Sequence, residues 1–281
     1  MPQMDARTTA WESDWFHALS AMDDLQEYCK QWSGQRCWHC LDLFSRSRNF
    51  ERQFEKNGFT ATSYDVLNNP LQDITTRAGF LVLLNLGLQL MDDALMACAP
   101  PCSLFVGISS SVHMRSEFRL LGDTSRRCVR LSNLILSNFV VFLMLMKTFR
   151  PRLFVMVEQP ASSWLFKQAN FKEIIRTCNL RKTLTNMGLF GADLLKPTHL
   201  YSNMTGLNSV ERRATKSAKA KFNARIKRKN EKLIQAGKQP KEYYKKTEDG
   251  RFHGGRHLSS SAVYPHPFIV AVYKSWQKLV E

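Results

Sequence analysis

Uninterrupted apolar runs are short in this sequence. The longest apolar stretch, "LSNLILSNFVVFLMLMK" (131–147), is broken by Asn133, Ser137 and Asn138, leaving eight consecutive apolar residues after Asn138. A bilayer-spanning helix needs about 20, so the stretch predicts a buried helix and no membrane partner. The opening "MPQMDARTTAWESDW" has no apolar core behind basic residues and lacks the form of a secretory signal. The seven cysteines (29, 37, 40, 98, 102, 128 and 178) are odd in number and irregularly spaced. That pattern speaks against a disulfide framework and for free thiols in an intracellular, reducing setting. Acidic residues are few, with 24 Asp+Glu against 40 Lys+Arg and a formal net charge of +16. The surplus points to a polyanionic partner, nucleic acid before membrane. No internal repeat is present.

What is there reads as alternating strands and helices. "WHCLDLF" (38–44) is strand-like; "NFERQFEKNG" (49–58) places Phe50 and Phe54 on one helical face and ends on Gly58. "FTATSYDV" (59–66) alternates as a strand does. "TTRAGFLVLLNLGLQLMDD" (75–93) predicts a helix and "ALMACA" (94–99) a short strand running into Pro100 and Pro101. A long helix is expected over 125–149 and an apolar strand over 152–160, with two further strands at 181–188 and 198–203. Continuous apolar strands separated by helices imply a mostly parallel sheet with helices on both faces. Ligands of such folds bind beyond the carboxyl ends of the strands. Asp42, Asp65, Cys102 and Glu158 all fall at or near such ends.

Composition changes after residue 205. Between Ser209 and Arg256 there are 16 Lys+Arg and 5 Asp+Glu, so 16 − 5 = 11 of the surplus charges fall in 48 residues. Val210, Ala214, Ala218, Phe222 and Ile226 recur every four residues, predicting an amphipathic helix with basic flanks. "AGKQPKEYYKKTEDGRFHGGRH" reads as loop, and Tyr243 and Tyr244 either stack on bases or pack the insert onto its domain. "PFIVAVYKSWQKLV" (267–280) is a closing helix. The expected organisation is an N-terminal helical extension (1–37), a globular domain (38–205 and 257–281) and a basic insert (206–256). Within the insert, Arg225, Lys227, Arg228 and Lys229 are the candidate nucleic-acid contacts. "RIKRKNEK" (225–232) also has the composition of a nuclear-import signal.

Several chemical signals stay open on the residues alone. The proline pair ends any regular element, so Cys102 sits on a stiff turn, as a nucleophile or as an inert loop thiol. Glu158 either faces a ligand or merely caps the following helix, "SSWLF". Asp73 reads as a turn residue or helix cap. "CWHC" (37–40) has no second Cys/His pair at matching spacing, so no metal site is expected.

The order of these motifs carries a resemblance. "LDLFSRSRNFERQFEKNGFTATSYDV", "APPCSLFVG", "VMVEQP", "KPTHLYSN" and "SSAVYPHPF" together are similar to the ordered motifs of DNA cytosine-5 methyltransferases. Methyltransferase-like proteins of microalgae resemble the chain more closely still, in "DITTRAGF", "PPCS", "LGD" and "EQPASS". The resemblance spans roughly 38–205 and 257–272. It implies a Rossmann-like methyltransferase fold, S-adenosylmethionine as cofactor, and DNA before RNA as partner. It further implies Cys102 as the nucleophile that attacks C6 of a flipped cytosine, and Glu158 as the carboxyl group that engages the base. Asp65 would hold the cofactor ribose, while Asp42, Phe44 and Pro100 would border the cofactor.

Three places depart from the family pattern. The cofactor loop "FSRSRN" has no glycine and instead carries Arg46 and Arg48. "EQP" stands where the family has Glu-Asn-Val. No paired-arginine strand motif is found, Arg181 being the nearest residue. The alternative expectation is therefore a catalytically silent methyltransferase-fold protein that binds nucleic acid through its basic insert.

Overall fold

The structure is a computed structural model that describes residues 36–246, 248, 252–255, 257–258 and 262–281. Apart from Arg36 and Cys37, the expected N-terminal extension lies outside the described residues.

Six strands form one mostly parallel sheet: β1 (Trp38–Leu43), β2 (Ala61–Tyr64), β3 (Leu90–Cys98), β4 (Phe154–Pro160), β5 (Arg181–Asn186) and β6 (Pro197–Ser202). Their order is β2-β1-β3-β4-β6-β5, and β6 runs antiparallel to both its neighbours. Strand order reverses between β1 and β3, where the chain leaves β1 to build β2 on one side and then crosses to β3 on the other. That reversal is the switch point at which ligands of open α/β sheets bind. The architecture is Rossmann-like α/β.

The alternation of each strand sorts side chains into two cores. Leu41, Leu43, Met96, Cys98, Val155 and Val157 face one side. There they meet α2 (Arg77–Leu88), α3 (Arg127–Phe149) and α4 (Ala169–Thr177). Cys40, Leu95, Ala97, Met156 and Leu200 face the other side, against α1 (Asn49–Lys56) and α6 (His266–Val280). On that side Phe54 and Trp276 lie 4.6 Å apart between ring centroids, with Phe59 and Tyr273 around them. Each aromatic so buried contributes about 1.5–3 kcal/mol relative to exposure.

Three segments differ from their sequence expectations. The helix expected over 75–93 ends at Leu88, and β3 begins at Leu90, where only 94–99 was expected as strand. Asp92 and Asp93 look like a helix end in sequence but are held in the strand by Arg150 and Arg152. A register shift against β1 makes room for them. Second, α3 is not buried all round: Phe139, Phe142 and Leu143 are buried, but Leu131, Leu134 and Val141 are exposed. By length and composition alone it would suffice to cross a bilayer. Third, the loop expected after residue 236 contains a hairpin, β7 (Tyr244–Lys246) with β8 (Phe252–Gly254).

The basic helix α5 (Lys216–Gln235) starts later than its four-residue stripe predicts, with Thr215 accepting from the Ala218 N–H. Leu207 and Val210 belong to the α1/α6 core, and the Ser209 hydroxyl meets that of Ser275 at 2.6 Å. The insert proper therefore begins near Glu211. Gly188 makes its docking possible: a Cβ there would come within 2.6 Å of the Phe222 ring.

Candidate active site

The carboxyl ends of β1, β2, β3 and β4 lie at one edge of the sheet, and they bring together most of the residues singled out in the sequence. Asp42 is the second-last residue of β1, Asp65 follows β2, Pro100 and Cys102 follow β3, and Glu158 lies in β4.

Glu158 and Gln159 point to opposite faces, as neighbours on a strand must. Gln159, fully buried, donates from Nε2 to the Pro100 carbonyl and accepts from the Ser163 hydroxyl at 2.9 Å. Ser163 in turn accepts from the Leu165 N–H. Ser163, and not Glu158, thus caps the turn that follows β4. Gln159 fixes the proline turn to β4, and so fixes the approach of Cys102 to Glu158.

Glu158 is 5% exposed. Its Oε2 accepts from the Tyr264 hydroxyl at 3.2 Å, and its Oε1 lies 3.4 Å from Lys196 Nζ. Oε1 is buried and has no hydrogen bond. Tyr264 is held by the rings of Phe50 and Phe268, at 5.7 and 5.3 Å. Burial pushes its hydroxyl far above the ordinary value, reinforced by Glu158 and Asp42, so it stays protonated as a donor.

Cys102 is partly buried. Burial raises its thiol above the ordinary value; Lys196 opposes that shift and Glu158 adds to it. Thiol, carboxylate and ammonium therefore act on one another at this edge. Sequence reasoning missed Lys196 and Tyr264, although both lie inside quoted motifs, "KPTHLYSN" and "SSAVYPHPF". Neither residue type signals a role without knowing that its motif folds back onto β4.

The cofactor side differs in detail from what the resemblance implies. Asp42 Oδ2 accepts from the Phe50 N–H at 2.9 Å and more weakly from that of Glu51 at 3.4 Å. It therefore braces the first turn of α1. Burial raises its pKa to about 7, against the opposing hydrogen bonds from Ser45, Phe50 and Glu51. Phe44 takes a left-handed φ of 62° and packs edge-on against Phe139 at 5.5 Å. Arg48 is also left-handed, with φ 51°. Glycine usually supplies this conformation; here non-glycine residues adopt it. Arg46 is exposed, while Arg48 turns back onto Glu51, with Nε 2.8 Å from Oε2. Neither side chain fills the loop.

Asp65 is 7% exposed at the rim, with Oδ1 accepting from the Leu67 N–H at 2.8 Å. Burial raises its pKa, while the Leu67 N–H and Arg46 work the other way. Asp73 forms a turn, accepting from the Thr75 N–H and hydroxyl. Cys37 is exposed and Cys40 fully buried. Arg181 is exposed at the start of β5.

The four basic candidates of the insert divide. Arg225 donates to the carbonyls of Gly191 and Gly188, at 2.9 and 3.1 Å, and to that of Ala192. It fastens α5 to the 187–192 turn, so its guanidinium is engaged within the protein. Lys229 Nζ lies 2.5 Å from Asp193, which also accepts from the Tyr243 hydroxyl at 3.0 Å. Burial works to raise the Asp193 carboxyl, but Lys229, Tyr243 and Lys241 hold it below its ordinary value. Lys227 and Arg228 are exposed. A cleft of about 270 Å³ separates insert from domain, lined by Asp193, Lys196, Lys229, Lys241, Tyr243 and Tyr264 among others. On the far side, β8 lies against the Gly107–Ser109 turn of the loop that carries Cys102.

No known family model matches the chain, and no curated protein matches its sequence. Class and chemistry therefore rest on the fold and on this edge of the sheet.

Proposed function

We propose that the protein is an S-adenosylmethionine-dependent, DNA cytosine-5 methyltransferase-like enzyme on a Rossmann-like methyltransferase fold. The observation that carries this reading is that the strand end bearing Glu158, ion-paired with Lys196, is tied through Gln159 to the proline turn bearing Cys102. The order of the motifs supports it, because five separate stretches of chain converge there.

Each residue type suits the step assigned to it. A cytosine inside a duplex is out of reach, so the base must be extruded. The Cys102 thiolate adds to C6 and forms a C–S bond, and the electron pair displaced from the C5–C6 bond makes C5 nucleophilic. Glu158 Oε1, the oxygen without a hydrogen bond, is an acceptor for the exocyclic amine that distinguishes cytosine from thymine. Tyr264 fixes the other oxygen. Once a methyl group had passed to C5 and the cofactor's thioether had left, transfer of the C5 proton to water would let the ring electrons expel the Cys102 thiolate and restore the aromatic ring. Bound S-adenosylmethionine supplies the electrophilic methyl group.

The cofactor residues fit at two points. Asp65 presents a carboxylate at the end of β2, matched to ribose hydroxyl donors. The left-handed backbone at Phe44 carries the loop through the path that glycine would allow. Asp42 contributes indirectly, by holding α1 and the loop in place.

A second reading is a silent nucleic-acid-binding protein. Two observations favour it: Asp42 is committed to α1, and Glu158 is paired with two residues of its own chain. Trapping by a duplex containing 5-fluorocytosine, with S-adenosylmethionine present, separates the readings. The enzyme forms a covalent adduct and the Cys102→Ser variant does not, because a hydroxyl is far less nucleophilic than a thiolate. Absence of adduct with the unaltered protein, together with no heat on titrating millimolar S-adenosylmethionine, selects the silent form.

A further inference from the structure

Lys196 holds an unfavourable backbone position. Its φ of 39° is left-handed, a region unfavourable to a non-glycine residue that persists where the surroundings enforce it. Its carbonyl accepts from the Met187 N–H at 3.2 Å and the Thr198 hydroxyl at 3.0 Å, which fix the residue at the mouth of β6. The side chain is only 16% exposed, and its ammonium reaches Glu158 Oε1 at 3.4 Å. An exposed ion pair contributes little, but a buried carboxylate left alone beside a thiol would strongly oppose a second negative charge.

Cys98 pairs with Val157, and Gln159 binds the Pro100 carbonyl, so the turn of Cys102 lies against the end of β4 that carries Glu158. Lys196, from the turn before β6, pairs with that carboxylate, and both charges act on the thiol. Tyr264, from the segment leading into α6, faces Glu158 as a neutral donor. We propose that Lys196 is the positioning residue of this pair: its ammonium offsets the carboxylate next to Cys102, so that the thiolate forms beside a cation. The inference rests on the reading of Cys102 as the nucleophile. It adds a residue to which neither the motif order nor the comparisons assign a role.

Alkylation by iodoacetamide tests this without cofactor or DNA, with the rate followed by mass spectrometry on the Cys102 peptide across pH 6–10. Only the thiolate reacts. Lys196→Ala is expected to move the midpoint of the profile upward and to slow alkylation at pH 8 on the order of tenfold, equivalent to one pK unit. Lys196→Arg should keep most of the wild-type rate. Glu158→Gln should move the midpoint downward. Where Lys196→Ala fails to fold by circular dichroism, Lys196→Gln replaces it. A Lys196 variant with the wild-type profile overturns the proposal, as does a Glu158→Gln profile shifted in the same direction as Lys196→Ala. An altered profile with no fluorocytosine adduct would leave the role of Lys196 standing and remove only the methyltransferase reading.

Discussion

Gln159 donates from its amide to the carbonyl of Pro100, joining the strand that carries Glu158 to the turn that carries Cys102. The two residues are 59 positions apart in the chain. Their contact is buried, so replacing Gln159 with an apolar residue strands the Pro100 carbonyl and the Ser163 hydroxyl away from water. Gln159→Leu is expected to destabilise the fold by about 1–3 kcal/mol and to loosen the proline turn. Denaturant unfolding measures the first effect. Faster digestion near Cys102 in limited proteolysis measures the second, and unaltered digestion would argue against the tether.

Asp42 gives a pH dependence of definite sign. Its pKa is raised by burial to about 7 from an ordinary 3.8, so the native state holds this proton over a range in which the unfolded chain has lost it. The associated stability is fully present below about pH 4 and is lost as pH rises through about 7. Three pK units set an upper bound of about 4 kcal/mol. Unfolding midpoints at pH 5 and pH 8 should differ in that direction, and Asp42→Asn, which keeps an acceptor for the Phe50 N–H, should reduce the difference. Equal pH sensitivity in the variant would show that another group is responsible.

Gly79 has no room for a side chain. A Cβ there would lie 2.0 Å from the Asp73 carbonyl oxygen, and the Gly79 carbonyl accepts from the Tyr64 hydroxyl at 2.8 Å. Gly79→Ala must displace the 73–76 turn. The expected loss is about 1–3 kcal/mol, the usual range for overpacking, visible as a lower melting temperature. A melting temperature equal to that of the unaltered protein would mean that the turn is free to move.

The insert predicts unequal roles for adjacent cations. Lys227→Ala with Arg228→Ala should lower the slope of log affinity for DNA against log salt by about two, since each phosphate contact contributes about 0.9. Lys229→Ala should lower it less, because Lys229 is already paired with Asp193. Arg225→Gln should instead release α5 from the 187–192 turn and make the insert more sensitive to protease. A slope unchanged by the Lys227 and Arg228 substitutions would show that this face points away from the nucleic acid.

The layered α/β fold was legible because strand and helix periods differ and the punctuation is clear. Gly58, the proline pair and Pro151 stop their elements where expected. The error at 75–93 arose because "LQLMDD" continues the apolar pattern of the helix before it, and only pairing with β1 and ion pairs from Arg150 and Arg152 make a strand of it. The loop containing Tyr244 was misread for a related reason, since a three-residue strand is defined by its partner across the hairpin.

The sequence by itself determined the class of fold and the edge on which Asp42, Asp65, Cys102 and Glu158 gather, and it marked the basic character of the 209–256 stretch. These follow from local periodicity, turn chemistry and charge, which neighbouring residues already contain. Tertiary structure alone decided what each group touches: Asp42 the first turn of α1, Arg225 three backbone carbonyls, Glu158 a lysine and a tyrosine from distant motifs. Contacts between distant segments depend on how the strands are ordered and how insert and domain dock, and no local pattern records either.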